Sequence, residues 1–223
     1  MLQNHSKDRV SNKYEVRLRR RNAMWIHNGK KECPHAELTS GLCSNAYFNL
    51  SEVCSFPFEN HWLASSLCAN LRAHGLKTVD FVVGSAYAAI TFSYEVANCL
   101  GSRHVFAEKG SDGEMLWNRF QLPKNATVLQ IEELVTTFKT TEAVRRVIIE
   151  KNKHPVKFLP LIGTIVHRPQ KLPIKYFFDN EPITIVPLIE KEVWAVPQEE
   201  CPLCRLGSKR VKPKNNWADL IEC

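Results

Sequence analysis

The sequence is poor in glycine and contains no long apolar run. Glycine supplies 9 of the 223 residues, about 4% against a usual share of about 7%, so a turn that would ordinarily carry paired glycines can lack them here. No apolar stretch approaches the roughly 18 residues that a membrane-spanning helix requires, and we expect no membrane partner. The arginines at positions 17 and 19–21 are not followed by an apolar segment, so the pattern does not predict a secretory signal. We therefore expect a cytoplasmic protein.

A second half of a metal site is also missing. Cys201 and Cys204 have the spacing of half a zinc knuckle, but no second Cys/His pair follows them. A complete site would need Cys33, His35 or another chain, so zinc is not expected. Free cysteine behaves as a small apolar residue, and a chain of this length does not need cross-links. We therefore predict reduced thiols for the cysteines that are scattered among apolar or helical neighbours, namely Cys33, Cys43, Cys54, Cys68 and Cys99.

The composition fits one large α/β domain with a small appendage, since 44% of the residues are hydrophobic and 24% are charged. The formal net charge of +7 indicates an acidic partner, either a nucleic acid or a polyphosphate substrate. The basic residues concentrate at positions 7–21 and 205–214. Each segment either binds an acidic partner or is simply a solvated tail, and the sequence favours neither interpretation. Nucleic acid is therefore an open alternative that we do not favour.

Short apolar segments alternate with segments of helical spacing. Because the strands are nearly continuous in apolar residues, the pattern predicts a parallel sheet with helices on both faces. Residues 24–58 are predicted to be irregular, and residues 109–121 to form a long polar loop of the kind that is usually functional. The predicted strands are Val79–Gly84, His104–Glu108, Thr127–Ile131, Val156–Val166 and Ile183–Leu188, and the predicted helices are residues 61–71, 88–100 and 140–151.

Two adjacent carboxylates follow one of these strands. Neighbouring side chains of a strand point to opposite faces, so we predict that Glu132 and Glu133 lie just past the strand, where both can reach one ligand. A hydroxyl-rich helix start comes next, with Thr136, Thr137 and Thr140. Carboxylates at a strand end can bind a sugar diol, and the N–H groups of a helix start can hold a phosphate. The segment therefore predicts a site for a ribose 5-phosphate.

Two further strand ends carry candidate residues. Residues 84–89 form a turn of small residues that either presents N–H groups to an anion or allows close packing of a helix on a strand; alone, the turn slightly favours packing. Glu108 and Lys109 open the polar loop that ends near Arg119. These cations either neutralise a charged ligand or are simply solvated.

The order of these segments resembles the type I phosphoribosyltransferases, and in particular orotate phosphoribosyltransferase and its bacterial relatives. The signature of that family is an apolar strand, two acidic residues, two apolar residues and Thr-Thr-Gly-Gly-Ser/Thr, which Val128 to Thr140 match except that Phe138 and Lys139 replace the glycines. Residues 35–49 are similar to the family's base-binding hood, and residues 79–90 to the strand and loop that contact pyrophosphate. Residues 107–109 resemble the start of its mobile loop.

The resemblance implies a parallel twisted sheet flanked by helices, with a small N-terminal hood. It divides the chain into a basic segment at residues 1–23, a main domain with the hood at residues 24–197 and a basic, cysteine-containing tail at residues 198–223. It also implies a homodimer, and Mg²⁺ that accompanies phosphoribosyl pyrophosphate and keeps much of its water. No metal-ligating residue is expected for that ion.

The resemblance further implies the roles of the site residues. Glu132 and Glu133 would bind the ribose hydroxyls of phosphoribosyl pyrophosphate, and Glu133 would take part in catalysis. Ser85 and Ala86 would contact the pyrophosphate, and Lys109 and Arg119 would neutralise it as it leaves. The residues implied for the 5-phosphate cradle are Thr136, Thr137, Phe138, Lys139 and Thr140, and those implied near the nucleobase are Tyr47 and Phe48.

The altered phosphate loop leaves two hypotheses of different kinds. If the loop requires a positive φ at Phe138, this side chain costs about 1–2 kcal/mol there, and Lys139 could act on the phosphate as a point charge. The leading hypothesis is a magnesium-dependent phosphoribosyltransferase with a nucleobase acceptor, orotate by default. The alternative is a non-catalytic regulator that senses a phosphoribosyl ligand and binds nucleic acid through its basic ends. A scaffold with no ligand is disfavoured because both carboxylates are present.

Overall fold

The structure is a computed structural model that describes residues 13–223; the part of the predicted basic N-terminal segment before residue 13 lies outside the described residues. The strands are β1 (Met24–Ile26), β2 (His35–Glu37), β3 (Cys43–Ser44), β4 (Ala46–Phe48), β5 (Phe81–Ser85), β6 (Arg103–Lys109), β7 (Met115–Leu116), β8 (Thr127–Val135), β9 (Lys157–His167), β10 (Tyr176–Phe178), β11 (Glu181–Glu190), β12 (Ala195–Val196) and β13 (Arg210–Val211). The α-helices are α1 (residues 13–20), α2 (Leu50–Cys54), α3 (Pro57–Ala73), α4 (Ala88–Leu100), α5 (Lys139–Lys151), α6 (Pro202–Leu206) and α7 (Trp217–Ile221). Within this described part, every helix is too short or too polar to cross a membrane.

The chain forms two compact units. Unit 1 contains the described residues up to Val53 together with Pro169–Leu172 and Lys191–Cys223, and unit 2 contains Cys54–Arg168 and Pro173–Glu190. Residues 198–223, which the sequence sets apart as a tail, belong to unit 1. Their strand β13 pairs in parallel with β2, so strands from the N-terminal and C-terminal parts of the chain share one small sheet.

Unit 2 is built on a seven-stranded sheet with the order β10-β11-β9-β8-β5-β6-β7. The five central strands are parallel to one another, and the two edge strands β10 and β7 run antiparallel to their neighbours. Helices cover both faces, because the parallel strands are apolar on both sides. The predicted α/β architecture is thus confirmed.

The two faces of β5 show how the layers pack. Phe81 and Val83 face helix α5, where they join a buried cluster with Val144 and Ile148. Gly84 points to the opposite face, against helix α4. Because side chains alternate along a strand, neighbouring residues of β5 contact different helices on the two faces of the sheet.

Strand β8 runs beyond the end that the sequence predicts. The predicted strand stops at Ile131, but pairing with β9 continues as far as Val135, which lies opposite His167. The long parallel partner is the physical reason, because its ladder keeps the backbone extended through two glutamates that have low strand propensity.

The predicted polar loop at residues 109–121 is largely ordered structure. Strands β6 and β7 form a hairpin whose turn closes where the Gly110 N–H donates to the Glu114 carbonyl, at 2.9 Å. After the hairpin, the side chains of Trp117 and Leu122 are buried in the cluster under helix α5. These two apolar residues anchor a segment that looks polar in sequence.

Unit 1 contains a two-stranded sheet, β1-β4, and a four-stranded sheet in the order β12-β3-β2-β13. A disulfide joins Cys33 to Cys223, with Cα atoms 5.5 Å apart. The prediction of a reduced Cys33 is therefore wrong, because the β2–β13 pairing brings together residues that are 190 positions apart in sequence. The free cysteines of the described chain are Cys43, Cys54, Cys68, Cys99, Cys201 and Cys204.

Part of the basic C-terminal segment is neutralised within unit 1. The guanidinium of Arg210 donates from Nε to Glu37 Oε2 at 2.9 Å and from its other arm to Gln198. The Lys212 ammonium lies 3.9 Å from the same Glu37 carboxylate. The segment is a folded part of the unit and not a free cationic tail.

We predict that Gly84→Ala lowers the free energy of unfolding by about 1–3 kcal/mol, whereas Gly163→Ala changes it by less than about 1 kcal/mol. A Cβ at Gly84 would stand 3.0 Å from the Ala89 carbonyl oxygen and 2.9 Å from Ser93 Cβ, and neither can move without shifting α4. A Cβ at Gly163 meets the methyl ends of Ile131 and Leu67, which can rotate away. Urea unfolding of both variants measures the difference, and equal losses would contradict this account of the packing.

Candidate active site

The candidate site lies where the direction of the strand connections reverses. From β5 the chain passes to β6 on one side, and it then returns to form β8 on the other side. Open parallel sheets bind ligands in the crevice at such a point, beyond the carboxyl ends of the strands. The three strand ends that the sequence singles out therefore belong to three adjacent strands, β8, β5 and β6.

Side chains from both sides of this crevice meet at a buried carboxyl group. The Ser85 hydroxyl, at the end of β5, donates to Glu132 Oε2 at 2.6 Å. Gln130 Nε2 donates to Glu132 Oε1 at 2.9 Å and also to the Thr141 carbonyl of α5 at 3.2 Å. Arg145 Nε in turn donates to Gln130 Oε1 at 3.1 Å. The network joins β5, β8 and the first turns of α5.

Burial dominates the electrostatics of the acidic pair. Burial, followed by the neighbouring charge of Glu133, raises the pKa of Glu132 to about 8, and the hydrogen bonds from Ser85 and Gln130 oppose that rise. Burial also raises the pKa of Glu133 above its ordinary value. Glu132 as a residue is only 2% exposed, whereas Glu133 is partly exposed. Of the two, Glu133 is thus the one that a ligand can reach.

The sequence predicts that the two carboxylates lie together just past the end of the strand, and this prediction is wrong. Both belong to β8, so their side chains alternate across the sheet. Glu132 lies on the α5 face with Gln130, and Glu133 lies on the other face, near Cys54. The error follows from the strand end, because the prediction stops β8 at Ile131 and the pairing carries it on.

Phe138 adopts the left-handed conformation that glycine ordinarily supplies. Its φ is 68°, and it is the residue directly before helix α5. Its ring is buried and stacks on Tyr176, with centroids 4.9 Å apart and planes inclined by 18°. Phe138 therefore has the positive φ that strains a side chain other than glycine, and the burial of its ring offsets that strain.

Tyr176 also holds the loop by its hydroxyl group. The hydroxyl donates to the Thr136 carbonyl at 3.2 Å and lies 3.0 Å from His167 Nε2. His167 Nδ1 lies 2.9 Å from Glu190 Oε1, at the end of β11. The loop between β8 and α5 is therefore tied to the β10–β11 hairpin through a Tyr–His–Glu chain.

The start of helix α5 presents donors beside this loop. The side chain of Phe138 offers no acceptor to the first N–H groups of the helix. Thr137, Lys139 and Thr140 are exposed, and Thr136 is half-buried. Unpaired N–H groups, hydroxyls and one ammonium group suit an anion such as a phosphate.

The remaining predicted residues are placed differently. Ala86 follows β5, where its N–H donates to the Ala107 carbonyl at 3.0 Å, and the peptide bond that follows it is cis. Lys109 is exposed at the end of β6. Arg119 is also exposed, and its Nε donates to Glu108 Oε1 at 2.6 Å. Both cations thus lie at the surface.

The two predicted base-binding residues belong to β4 of unit 1. The ring of Tyr47 is half-buried and packs on Trp217, with centroids 5.7 Å apart. Phe48 is 5% exposed and lies opposite Met24 in the β1–β4 pair. Tyr47 thus offers some open surface, and Phe48 offers almost none.

Curated proteins of similar sequence are orotate phosphoribosyltransferases. The chain is 32% identical over 181 residues to that of Caldicellulosiruptor bescii, which covers 80% of this chain and 87% of the relative. It is 30% identical over 191 residues to that of Pelotomaculum thermopropionicum, covering 86% and 94%. The chain belongs to the orotate phosphoribosyltransferase family. No family model matches the sequence.

Solved structures agree with the phosphoribosyltransferase fold of this family member. The UMP synthase of Leishmania donovani superposes with a TM-score of 0.60 at 18% identity, over 94% of this chain and 41% of that longer protein. The orotate phosphoribosyltransferase of Aeropyrum pernix superposes with a TM-score of 0.54 at 14% identity, over 79% and 93%. At these identities, the likeness shows the fold alone.

Sequence reasoning misses four residues that hold the site, namely Gln130, Arg145, His167 and Tyr176. Arg145 is 1% exposed and lies between the rings of Phe158 and Phe178. A polar residue inside an apolar strand, as at Gln130, and an arginine on the apolar face of α5 are weak signals that could have pointed to the first pair. Nothing in the sequence connects Tyr176 with Phe138.

We predict that Phe138→Ala destabilises the protein by about 3 kcal/mol or more and that Phe138→Gly costs about 1 kcal/mol less. Both variants lose the ring that stacks on Tyr176, but only alanine keeps the cost of a positive φ. Denaturant unfolding of the two variants isolates that cost. Equal stability of the two would mean that the positive φ at position 138 carries no strain.

We predict a pH-dependent stabilisation by Glu132→Gln. The pKa of this carboxyl group is near 8 in the folded chain and 4.5 ordinarily, so between these values the folded protein keeps a proton that the unfolded chain releases. The free energy of unfolding should therefore fall as the pH rises from about 5 to about 8. The amide should make this slope shallower, with the largest gain in stability above pH about 8, and the raised pKa of Glu133 leaves a smaller slope in the variant. Unfolding curves across this range test it, with Glu150→Gln, an exposed carboxylate on α5, as the control that keeps the slope.

Proposed function

We propose that the protein transfers the 5-phosphoribosyl group from phosphoribosyl pyrophosphate to orotate, with release of pyrophosphate. One observation carries the proposal, in a chain of this family. Ser85 and Glu132 meet at 2.6 Å across the switch point of the sheet, beside a helix start that presents donors to a phosphate. The default acceptor is orotate because the similar curated proteins are named for it.

Glu132 and Glu133 would have different roles, because their side chains lie on opposite faces of β8. Glu133, which is partly open, would bind the ribose hydroxyls and face the positive charge that develops on the sugar as its bond to pyrophosphate breaks. Glu132 is buried and bonded to Ser85 and Gln130, so it would act by fixing the β5 turn. Ser85 and Ala86 would then present this turn to the pyrophosphate.

The loop after β8 would hold the 5-phosphate. Thr136, Thr137 and Thr140 would supply hydroxyl groups, the N–H groups that open α5 would supply backbone donors, and Lys139 would supply a point charge. Phe138 would contribute its backbone alone, because its ring is directed to Tyr176. At Phe138 the loop would thus keep the positive φ that a glycine ordinarily supplies.

Lys109 and Arg119 would neutralise the departing pyrophosphate. Arg119 is paired with Glu108 at the surface, so this role requires that the pair separates when the ligand binds. Mg²⁺ fits this chemistry as an ion that the oxygens of the substrate and water hold, and the Glu133 carboxylate suits it as an acceptor for that water. When bound, Mg²⁺ would neutralise charge on the pyrophosphate.

Recognition of the base, assembly and location complete the proposal. The half-buried ring of Tyr47 is the better candidate for contact with the base, and Phe48 would support it from within the unit. A homodimer in the cytoplasm is proposed from the family. Light scattering on the purified chain measures the assembly directly.

Incubation with phosphoribosyl pyrophosphate, Mg²⁺ and orotate should consume orotate and release pyrophosphate in equal amounts. The fall in orotate absorbance measures the consumption of the acceptor, and a coupled assay measures the release of pyrophosphate independently. Uracil, adenine and guanine serve as competing acceptors. Binding of phosphoribosyl pyrophosphate without turnover of any base would identify the chain as a sensor. The absence of both binding and turnover in folded protein would overturn the whole proposal.

We predict that Glu133→Gln reduces kcat by about 100-fold or more while the chain stays folded, because the amide cannot stabilise the cation-like sugar. Glu150→Gln makes the same chemical change on the exposed side of α5 and should leave kcat unchanged. Steady-state kinetics on both variants with circular dichroism as the folding check measure the effect. A kcat within a few-fold of wild type for Glu133→Gln would remove that carboxylate from the chemistry.

A further inference from the structure

Three thiols and an imidazole of unit 1 converge on one point that the transfer reaction does not use. The metal-binding atoms of His35, Cys43, Cys201 and Cys204 all lie within 4.8 Å of one another. His35 and Cys43 come from the neighbouring strands β2 and β3, and the two other cysteines flank the start of α6. Three of the four side chains are buried, and Cys204 is half-buried. The fold thus supplies the partners that the Cys201–Cys204 pair lacks in sequence.

Three of the six separations match the edges of a tetrahedron around one zinc ion, and all six are within 4.8 Å. With bonds of about 2.3 Å to sulfur and about 2.0 Å to nitrogen, tetrahedral geometry requires sulfur–sulfur edges of about 3.8 Å and sulfur–nitrogen edges of about 3.5 Å. Cys43 Sγ lies 3.8 Å from Cys204 Sγ. His35 Nε2 lies 3.3 Å from Cys204 Sγ and 3.6 Å from Cys201 Sγ. These atoms are too far apart to be bonded and close enough to share an ion.

Hydrogen bonds around the cluster prepare the imidazole as a ligand. The Ser208 hydroxyl donates its proton to the Cys33 carbonyl at 2.6 Å, so its oxygen is left to accept at 2.9 Å from His35 Nδ1. That bond places the ring proton on Nδ1 and leaves the lone pair of Nε2 directed at the sulfurs. A partner on the remote nitrogen of this kind is typical of metal-bound histidine.

The surroundings of the sulfurs agree with this assignment. The Cys204 N–H donates to Cys201 Sγ at 3.4 Å, so the backbone of α6 fixes the position of this sulfur. In the same unit, Cys33 and Cys223 are joined as a disulfide, whereas Cys43, Cys201 and Cys204 remain free although they are close together. Three adjacent thiols that are not cross-linked are the donor set that zinc selects.

We propose that His35, Cys43, Cys201 and Cys204 bind one zinc ion as a structural centre of unit 1. Four protein ligands leave no open position, which excludes a catalytic role for the ion. The strands β2, β3, β12 and β13 that surround it have only two or three residues each, too few to be stable by pairing alone. Zinc would release protons from the thiols and supply folding free energy that this small core lacks.

The full chain, purified with a non-chelating phosphine reductant, should contain one zinc ion per chain, as measured by inductively coupled plasma mass spectrometry. Replacement by Co²⁺ should give a thiolate-to-cobalt charge-transfer band and the visible bands of a tetrahedral site. Cys204→Ser and Cys43→Ser should lose the metal or weaken these bands, and the matched control Cys99→Ser, a free thiol outside the cluster, should keep both. A chelator should lower the thermal midpoint of the wild type, and added zinc should restore it.

His35→Cys keeps the proposal testable if the serine variants fail to fold. This variant should retain zinc, and its cobalt spectrum should shift to that of a four-thiolate site. Wild-type protein that takes up no zinc under reducing conditions would overturn the proposal, as would a cobalt complex without a thiolate band. A Cys43–Cys204 disulfide found by mass spectrometry of freshly purified, unreduced chain would overturn it as well.

Discussion

The buried hydrogen bond between Ser85 and Glu132 is the contact on which the arrangement of the site depends. It can form only because β8 pairs with β5 in parallel, with Ile131 opposite Gly84, so that the two strand ends meet at the switch point. A buried carboxyl group without partners would be costly, and Gln130 supplies the second partner. Through Gln130 the same group is connected to α5, so the turn after β5 and the start of α5 share one support.

Much of unit 2 could be predicted from the sequence because its strands and helices carry local signals. Helix α4 was predicted with its observed bounds, since an apolar stripe begins after a small-residue turn and Gly101 ends it in the left-handed conformation. The extension of β8 through Glu132 and Glu133 could not be predicted, because it depends on pairing with a strand that begins more than twenty residues later. The stacking of Phe138 on Tyr176 is likewise a tertiary contact without a local pattern.

The fold of unit 1, by contrast, could not be predicted from local sequence patterns, because contacts between distant segments determine it. Its strands are too short to show an alternating pattern of apolar and polar residues, so residues 24–58 look irregular in sequence. What organises the unit is covalent and polar chemistry between distant segments, namely the Cys33–Cys223 disulfide, the Glu37–Arg210 pair and the four-residue Cys/His cluster. The C-terminal segment that seemed a solvated tail in sequence is a structural part of this unit.

The buried ring of Phe138 fixes the conformation of the loop between β8 and α5 when the chain folds. A loop built on paired glycines is free to sample many backbone conformations, and a ligand that binds it must bear the entropy of fixing one of them. Here the aromatic stack and the Tyr176–Thr136 hydrogen bond hold the left-handed backbone before any ligand arrives. The entropic cost is thereby moved from the binding step to the folding step, so that the affinity of this loop for any ligand depends on the contacts that hold it to the β10–β11 hairpin.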